Sequence, residues 1–159
     1  MGEIKDMESI IKDHPFFQGL SHEYIKLIAG CSSNARFNSG EMVFRNGEDA
    51  DWFYIIRQGK VALELWSPDR GPITIQTVGD DDVFGWSWLF PPYKWQMDAR
   101  AVELTRVFKL DGKCLRGKCD KDHHLGYELM KRFSAIIIER LEASRIQILD
   151  IYKTAKEKT

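Results

Sequence analysis

The sequence predicts a mainly β domain, a sandwich or roll with flanking α-helices. From Arg36 to Leu110, short strand-like runs alternate with turn residues about every ten positions, which is typical of sandwiches and barrels. Past Asp111 the pattern changes to apolar residues three or four positions apart with charges between them, as on one face of a long helix. A chain of 159 residues suits one domain, because it buries about two-thirds of its unfolded surface.

A short helix is predicted before the strands. Ser21 is a candidate N-cap, Glu23 lies in the first turn, and Gly30 can end the helix. Tyr24 and Leu27 recur at helical spacing between these ends.

The strand region contains a predicted hairpin. Apolar residues alternate with other residues over Val61–Leu65 and again over Ile73–Ile75. The segment Ser67–Pro72 between them is a loop by composition, and glycine and aspartate at 79–82 form the next turn. The apolar run Trp52–Ile56 is a further strand.

The C-terminal helix is predicted over Asp120–Tyr152. It would be about 50 Å long, since each helical residue adds about 1.5 Å. That is much longer than a small β-domain needs to cover itself. The distal half of the helix therefore requires a partner.

Charge and cysteine content limit the class of protein. A net charge of -1 and a pI near 6.4 give no general attraction to phosphate backbones, so we expect no DNA binding by this chain alone. We find no secretory leader and no apolar run near the roughly 18 residues that cross a bilayer, and expect a cytoplasmic protein without membrane contact. Cys31, Cys114 and Cys119 cannot all pair within one chain, which suits a reducing compartment.

Four motifs point to a known superfamily. They are His14–Ser21, Phe37–Glu41, Gly47–Gly59 and Gly79–Gly85. In this order they resemble the effector domain of the Crp-Fnr superfamily, and the resemblance extends to about Tyr152. It implies a double-stranded β-roll of jelly-roll type, a ligand cassette after Gly85, and a dimerisation helix.

The resemblance also implies a division of the chain and a homodimer. We expect a cyclic-nucleotide-binding-like roll with N-terminal helices over 14–118 and a dimerisation helix over 120–152. The residues predicted to form the dimer interface are Phe133, Ile137, Leu141, Ser144, Ile148 and Tyr152.

The cassette departs from the pattern of members that bind cyclic AMP, which resembles Phe-Gly-Glu-Leu followed by Arg-Ser/Thr-Ala. In that pattern the resemblance implies that glycine admits the phosphate, arginine pairs with it, and glutamate holds the ribose. This chain keeps Phe84 and Gly85 but has Trp86 for glutamate, and Trp95 and Gln96 for the polar pair. Burying a phosphate without a paired cation costs several kcal/mol. Cyclic AMP bound in the usual mode is therefore disfavoured.

Two interpretations of the aromatic cassette stay open. Its rings either stack on a flat, weakly charged ligand or fill the former pocket as a plug. Lys94 can supply a charge, although an ammonium does not reproduce a bidentate fork. Ser144 on the long helix either reaches the ligand or lies in the dimer seam. The candidate ligand-binding residues are Phe84, Gly85, Trp86, Ser87, Lys94, Trp95, Gln96 and Ser144.

Other chemistries are disfavoured. Cys114 and Cys119 with the following His123 and His124 suit a four-ligand zinc site poorly, so we expect reduced cysteines and no metal. No serine elbow, phosphate loop or HExxH helix is present, so we expect no enzyme.

The predicted function is a stand-alone sensory or regulatory module with a divergent ligand cassette, which signals through dimer or partner contacts. The tail beyond Tyr152 is too short for a helix-turn-helix unit. The alternative is a ligand-free structural dimer, or the remnant of a transcription regulator, with a sealed pocket. The identity of the ligand stays open, and a cyclic nucleotide is one candidate.

Overall fold

The computed structural model describes the backbone of residues 2–157 and the side chains of residues 7–157. Helices α1 (Gly2–Asp13) and α2 (His22–Gly30) precede the strands, and helices α3 (Gly112–Lys121) and α4 (His123–Glu157) follow them. The strands are β1 (Ser32–Phe37), β2 (Met42–Phe44), β3 (Trp52–Gln58), β4 (Val61–Ser67), β5 (Gly71–Val78), β6 (Val83–Phe84), β7 (Asp98–Ala101) and β8 (Thr105–Asp111).

Two four-stranded antiparallel sheets form the roll. Their strand orders are β1-β8-β3-β6 and β2-β7-β4-β5. The predicted mainly β fold with flanking helices is confirmed. The β4–β5 hairpin is confirmed as well, with Ser67 paired to Gly71 at its tip. Ser21 caps α2 as predicted, because its Oγ accepts a hydrogen bond from the amide of Tyr24 at 3.3 Å.

Strand β3 is buried on both faces. Successive side chains of a strand point to opposite sides, so Tyr54 and Ile56 enter an inner core between the two sheets. Phe53 and Ile55 enter an outer core between the first sheet and the helices. This explains why the sequence of β3 is an unbroken apolar run and does not alternate.

The first half of α4 belongs to the outer core. Leu125, Leu129 and Phe133 are fully buried, and the Phe133 ring packs edge to face on Phe53 with centroids 5.2 Å apart. The prediction that Phe133 lies in the dimer interface is therefore wrong, because no second chain can reach it. The apolar stripe of the helix is continuous in sequence, but this chain covers its first part itself.

The predicted single helix from Asp120 is interrupted. Asp122 has extended backbone angles (φ -129°, ψ 95°), and its Oδ1 accepts hydrogen bonds from the amides of His124 and Leu125 at 3.1 and 3.3 Å. It ends α3 and caps α4. The hydroxyl of Tyr24 donates to Asp122 Oδ2 at 2.9 Å, which lowers the pKa of that carboxyl. At the other end, α4 continues past Tyr152 to Glu157.

Two of the three cysteines are not the free thiols that the sequence predicts. Cys31 and Cys114 form a disulfide with Cα atoms 6.1 Å apart, which ties the end of α2 to the first turn of α3. An odd number of cysteines excludes complete pairing but does not exclude one pair, and the fold brings two distant positions together. Cys119 is free, and burial raises the pKa of its thiol to about 11.

This disulfide predicts a measurable stabilisation. The bond closes a separation of 83 residues, so the double variant Cys31→Ser/Cys114→Ser should lose about 4.5 kcal/mol of unfolding free energy in urea. Alkylation in denaturant without reductant should modify one cysteine, Cys119, as read by mass spectrometry. Wild-type protein treated with reductant is the control and should unfold like the double variant. Three alkylated cysteines before reduction would contradict the assignment.

Candidate ligand-binding site

The cassette begins with Gly85 at the end of β6. Its φ of +88° is in the left-handed region, and a Cβ there would lie 2.9 Å from Cη2 of Trp95. Glycine is therefore required both by the backbone and by the neighbouring ring. The next residues, Trp86–Trp88, form one 3-10 turn.

Trp95 fills the space beside Gly85. Its ring is 4% exposed and stacks on Phe44 with centroids 3.8 Å apart and an 8° angle between planes. Backbone hydrogen bonds hold this position, since Trp95 N donates to Glu48 O at 3.0 Å and Gly47 N donates to Trp95 O at 2.9 Å. An indole thus occupies the position to which the resemblance assigns an arginine.

Two neighbouring cavities lie between the cassette, the roll and α4. The cassette cavity has a volume of about 80 Å³ and is lined by Gly85, Ser87, Trp95 and Gln96, among others. The helix cavity has a volume of about 220 Å³ and extends to α4. Drug-sized ligands usually need about 300 Å³ or more. The aromatic residues thus nearly close the site beside Gly85 and leave space beside the helix. The residues that line both cavities are Leu63, Trp86, Met97 and Arg140.

Arg140 of α4 is a charged residue of this site that the sequence analysis missed. Its guanidinium lies 4.9 Å from the centroid of the Trp86 ring and donates a hydrogen bond to the carbonyl oxygen of Val83. Burial lowers the pKa of Arg140 to about 10, while Asp82 and Glu139 act in the opposite direction. Arg140 is therefore still a cation at neutral pH.

Most of the predicted ligand-binding residues line a cavity. Gly85, Trp86, Ser87, Trp95 and Gln96 line the cassette cavity.

Ser144 lines the helix cavity, and its Oγ donates to the carbonyl oxygen of Arg140 at 3.0 Å.

Phe84 and Lys94 were predicted to bind the ligand, but both lie outside the two cavities. Phe84 is fully buried in the inner core, where it stacks on Tyr54 with centroids 5.1 Å apart, because its strand position points between the sheets. Lys94 forms an ion pair with Asp49, to which it is also joined by a β-bridge, and this pairing lowers the pKa of Asp49. Neither residue lines the cassette or helix cavity.

The predicted interface residues divide between the cavity and the surface. Ile137 and Leu141 line the helix cavity, and Leu141 is also half exposed. Ile148 and Tyr152 are exposed beyond it. Gln147 Nε2 donates to Ile75 O at 2.6 Å and so ties α4 to the roll. The exposed apolar residues of the distal helix are Ile138, Leu141, Ile146, Ile148, Leu149, Ile151 and Tyr152.

Arg140 also lines a third, more polar cavity. This N-terminal cleft has a volume of about 400 Å³, and Asp82 and Glu139 contribute to its walls. His14 fixes one side of it, because its Nδ1 accepts from the amide of Phe16 and its Nε2 donates to the carbonyl oxygen of Asp81 at 2.8 Å. His14 therefore fastens the N-terminal motif to the β5–β6 turn.

The described part of the chain has neither a membrane-spanning helix nor a cluster of metal ligands. Within 2–157, no helix has the combined length and apolar character needed to cross a bilayer. The described side chains include no group of three or more His, Cys, Asp or Glu placed to hold a metal ion.

Comparison with known proteins identifies the fold family. The family model described as Cyclic nucleotide-binding domain matches residues 35–122. The chain belongs to this family. It is 25% identical over 148 residues to the CRP-like cAMP-activated global transcriptional regulator of Mycobacterium tuberculosis, covering 93% of this chain and 64% of that protein. The chain thus spans less than two-thirds of that relative's length.

Solved structures of this family are similar in fold to this chain. A protein of Geobacter metallireducens described as a cyclic nucleotide-binding protein is 30% identical, with a TM-score of 0.77, covering 85% of this chain and 97% of that one. The regulatory domain of Toxoplasma gondii PKA, in co-crystal with cAMP, is 20% identical with a TM-score of 0.73, covering 87% and 51%. The second likeness is one of fold alone.

The contact between Gly85 and Trp95 gives a quantitative prediction. Gly85→Ala should cost about 1 kcal/mol for positive φ and about 1 to 3 kcal/mol more for overpacking against the indole. Gly40→Ala is the matched control, since Gly40 also has a φ of +88° but nothing lies within 4 Å of the position that a Cβ would take there. Urea unfolding should show the larger loss at Gly85. In a Trp95→Leu background the two losses should converge, and equal losses in the wild-type background would refute the contact.

Proposed function

We propose that this chain is a sensory or regulatory module in which a small molecule binds between the β-roll and α4 and changes how α4 meets a partner. The observation that carries the proposal is the composition of the helix cavity. Leu63 and Ile75 of the roll line one side, and Ile137 and Leu141 of α4 line another. A ligand in this cavity contacts the roll and α4 at once, so its binding energy favours one arrangement of α4 on the roll over others.

A second copy of the chain is the proposed partner. Leu141, Ile148 and Tyr152 recur at steps of seven and four along α4, the spacing of a helix–helix seam, and all three are exposed. In a symmetric dimer the same face of each helix meets its counterpart. The proposed interface is Ile137, Leu141, Ser144, Ile148 and Tyr152, without Phe133, and the roll and the dimerisation helix remain the proposed division of the chain.

The proposed output is a protein contact. The relative from Mycobacterium tuberculosis is described as cAMP-activated, and in this chain Trp95 stacks on Phe44 at the position to which the resemblance assigns a phosphate-binding arginine. We therefore propose a divergent ligand cassette that does not hold cyclic AMP in the usual way. The net charge of -1 supports action without DNA contact by this chain, and the regulatory relatives support a cytoplasmic, non-enzymatic role.

The alternative is a structural dimer without a ligand. The tight stack of Trp95 on Phe44 and the small cassette cavity favour it, because both are properties of a closed core.

Ligand binding is tested by thermal unfolding against cyclic AMP, cyclic GMP, adenosine, guanosine, naphthalene-2-carboxylate and its carboxamide. A compound at about one hundred times its dissociation constant should add about 2.7 kcal/mol of stability. Ser144→Phe should abolish the shift, because the ring fills the helix cavity. Ala143→Phe is the control, since Ala143 does not line the cavity. Unchanged unfolding with every compound would favour the structural dimer.

Dimerisation is tested by sedimentation equilibrium. The wild-type chain should be a dimer at micromolar concentration. Ile148→Glu with Tyr152→Glu should yield monomers, because two carboxylates would be buried in the seam. Lys131→Glu, on the proximal half of α4, is the control and should remain dimeric. A wild-type monomer would remove the proposed interface.

A further inference from the structure

We propose that the ligand of this site is a flat, largely apolar anion whose negative group, a carboxylate or phosphate, is paired by Arg140 of α4. The inference rests on the proposed function and names the class of ligand. It also places the cation that pairs with the ligand on α4. The cassette pattern of members that bind cyclic AMP places that cation, an arginine, in the roll.

Arg140 is the single charged side chain among the described residues that line the cassette and helix cavities. Three other cations near the cassette are engaged by the protein. Arg116 donates to the carbonyl oxygen of Trp88 and lies 4.3 Å from the centroid of the Tyr93 ring. Lys94 pairs with Asp49, and Arg100 binds Glu64 through two hydrogen bonds of 3.1 and 3.0 Å. Of these four cations, Arg140 is the one that lines the cassette and helix cavities.

The charge of Arg140 is not neutralised by the protein. Among residues 7–157, no carboxylate lies within 4.0 Å of its guanidinium. Asp82 and Glu139 influence it only at longer range and lie at the N-terminal cleft. A partly buried cation without an ion pair is costly, and an anion bound beside it would remove that cost.

Arg140 also has hydrogen-bond donors to spare. A guanidinium carries five N–H groups, and the protein contact seen here is the one with the carbonyl oxygen of Val83. In the described chain, Trp88 Nε1 is the single fully enclosed side-chain nitrogen or oxygen without a partner. The other N–H groups of Arg140 are therefore not sealed inside the protein, and Arg140 lines the cassette cavity, the helix cavity and the N-terminal cleft.

The remaining walls determine the body of the ligand. Leu63, Met97 and Ile137 are apolar, and Trp86 adds an aromatic ring already held beneath the guanidinium. Such walls suit a flat ring, whose faces pack on apolar atoms and whose charged edge reaches Arg140. Because only about 80 Å³ is left beside Gly85, the negative group belongs next to α4.

Two matched pairs of probes test the inference by titration calorimetry. Cyclic AMP against adenosine reports on a phosphate, and naphthalene-2-carboxylate against naphthalene-2-carboxamide reports on a carboxylate. We expect at least one anion to bind wild type about 10 to 100 times more tightly than its neutral partner, the range that one charge-assisted hydrogen bond provides. Arg140→Met should remove that preference, and Arg140→Lys should retain part of it.

Arg145→Met is the control variant, because Arg145 is exposed on the same helix and lines neither cavity. Without ligand, Arg140→Met should unfold at the wild-type temperature or above, since an unpaired buried charge is lost. Equal affinities for an anion and its neutral partner, or tighter binding of the neutral compound, would overturn the inference and leave the proposed function standing. Failure of all four probes to bind wild type would overturn the inference. Unchanged unfolding with cyclic GMP and guanosine as well would overturn the proposed function.

Discussion

The burial of β3 on both faces is the constraint on which this structure depends. The strand carries Phe53 and Ile55 to the outer core and Tyr54 and Ile56 to the inner core, so the two cores share one backbone. The outer core fixes the first half of α4 through Phe133, and the inner core supports the cassette through Phe84. The site therefore lies between α4 and the cassette, and the same strand fixes the positions of both.

The site is nearly filled beside Gly85 and has open space beside α4. Trp95 and Phe44 form a stacked pair, which makes the region beside Gly85 apolar and nearly full. Beside α4 the walls are apolar as well, but there they surround a cation. The plug interpretation of the aromatic cassette fits the region beside Gly85, and the pocket interpretation fits the space beside α4.

Much of the fold could be predicted from the sequence, because local signals determine it. Ser21 is a cap by residue type, the β4–β5 hairpin follows from alternation around a loop, and four ordered motifs indicate the roll. The proximity of Cys31 to Cys114 could not be predicted, since 83 residues separate them and no local pattern reports distance. Phe133 was misassigned because periodicity shows an apolar face and does not show what covers it.

The site was harder to predict than the fold for the same reason. Arg140 looks like any charged residue on a helix surface until the roll is packed against it, and Lys94 looks available until Asp49 is placed beside it. Both assignments depend on neighbours that are distant in sequence. Trp95 lines the cassette cavity, and its position in the motif could be assigned from the sequence because its distance from Ala99 and Ala101 is local.

The hydrogen bond from Gln147 to Ile75 joins the distal part of α4 to the roll. Ten residues follow it to Glu157, a projecting lever of about 15 Å. A tilt of about 10° at this point moves the lever's tip by about 2.6 Å, which is about half of the 5.4 Å between successive helical turns. A slight adjustment at the cavity is thus magnified geometrically, without rearrangement of either core.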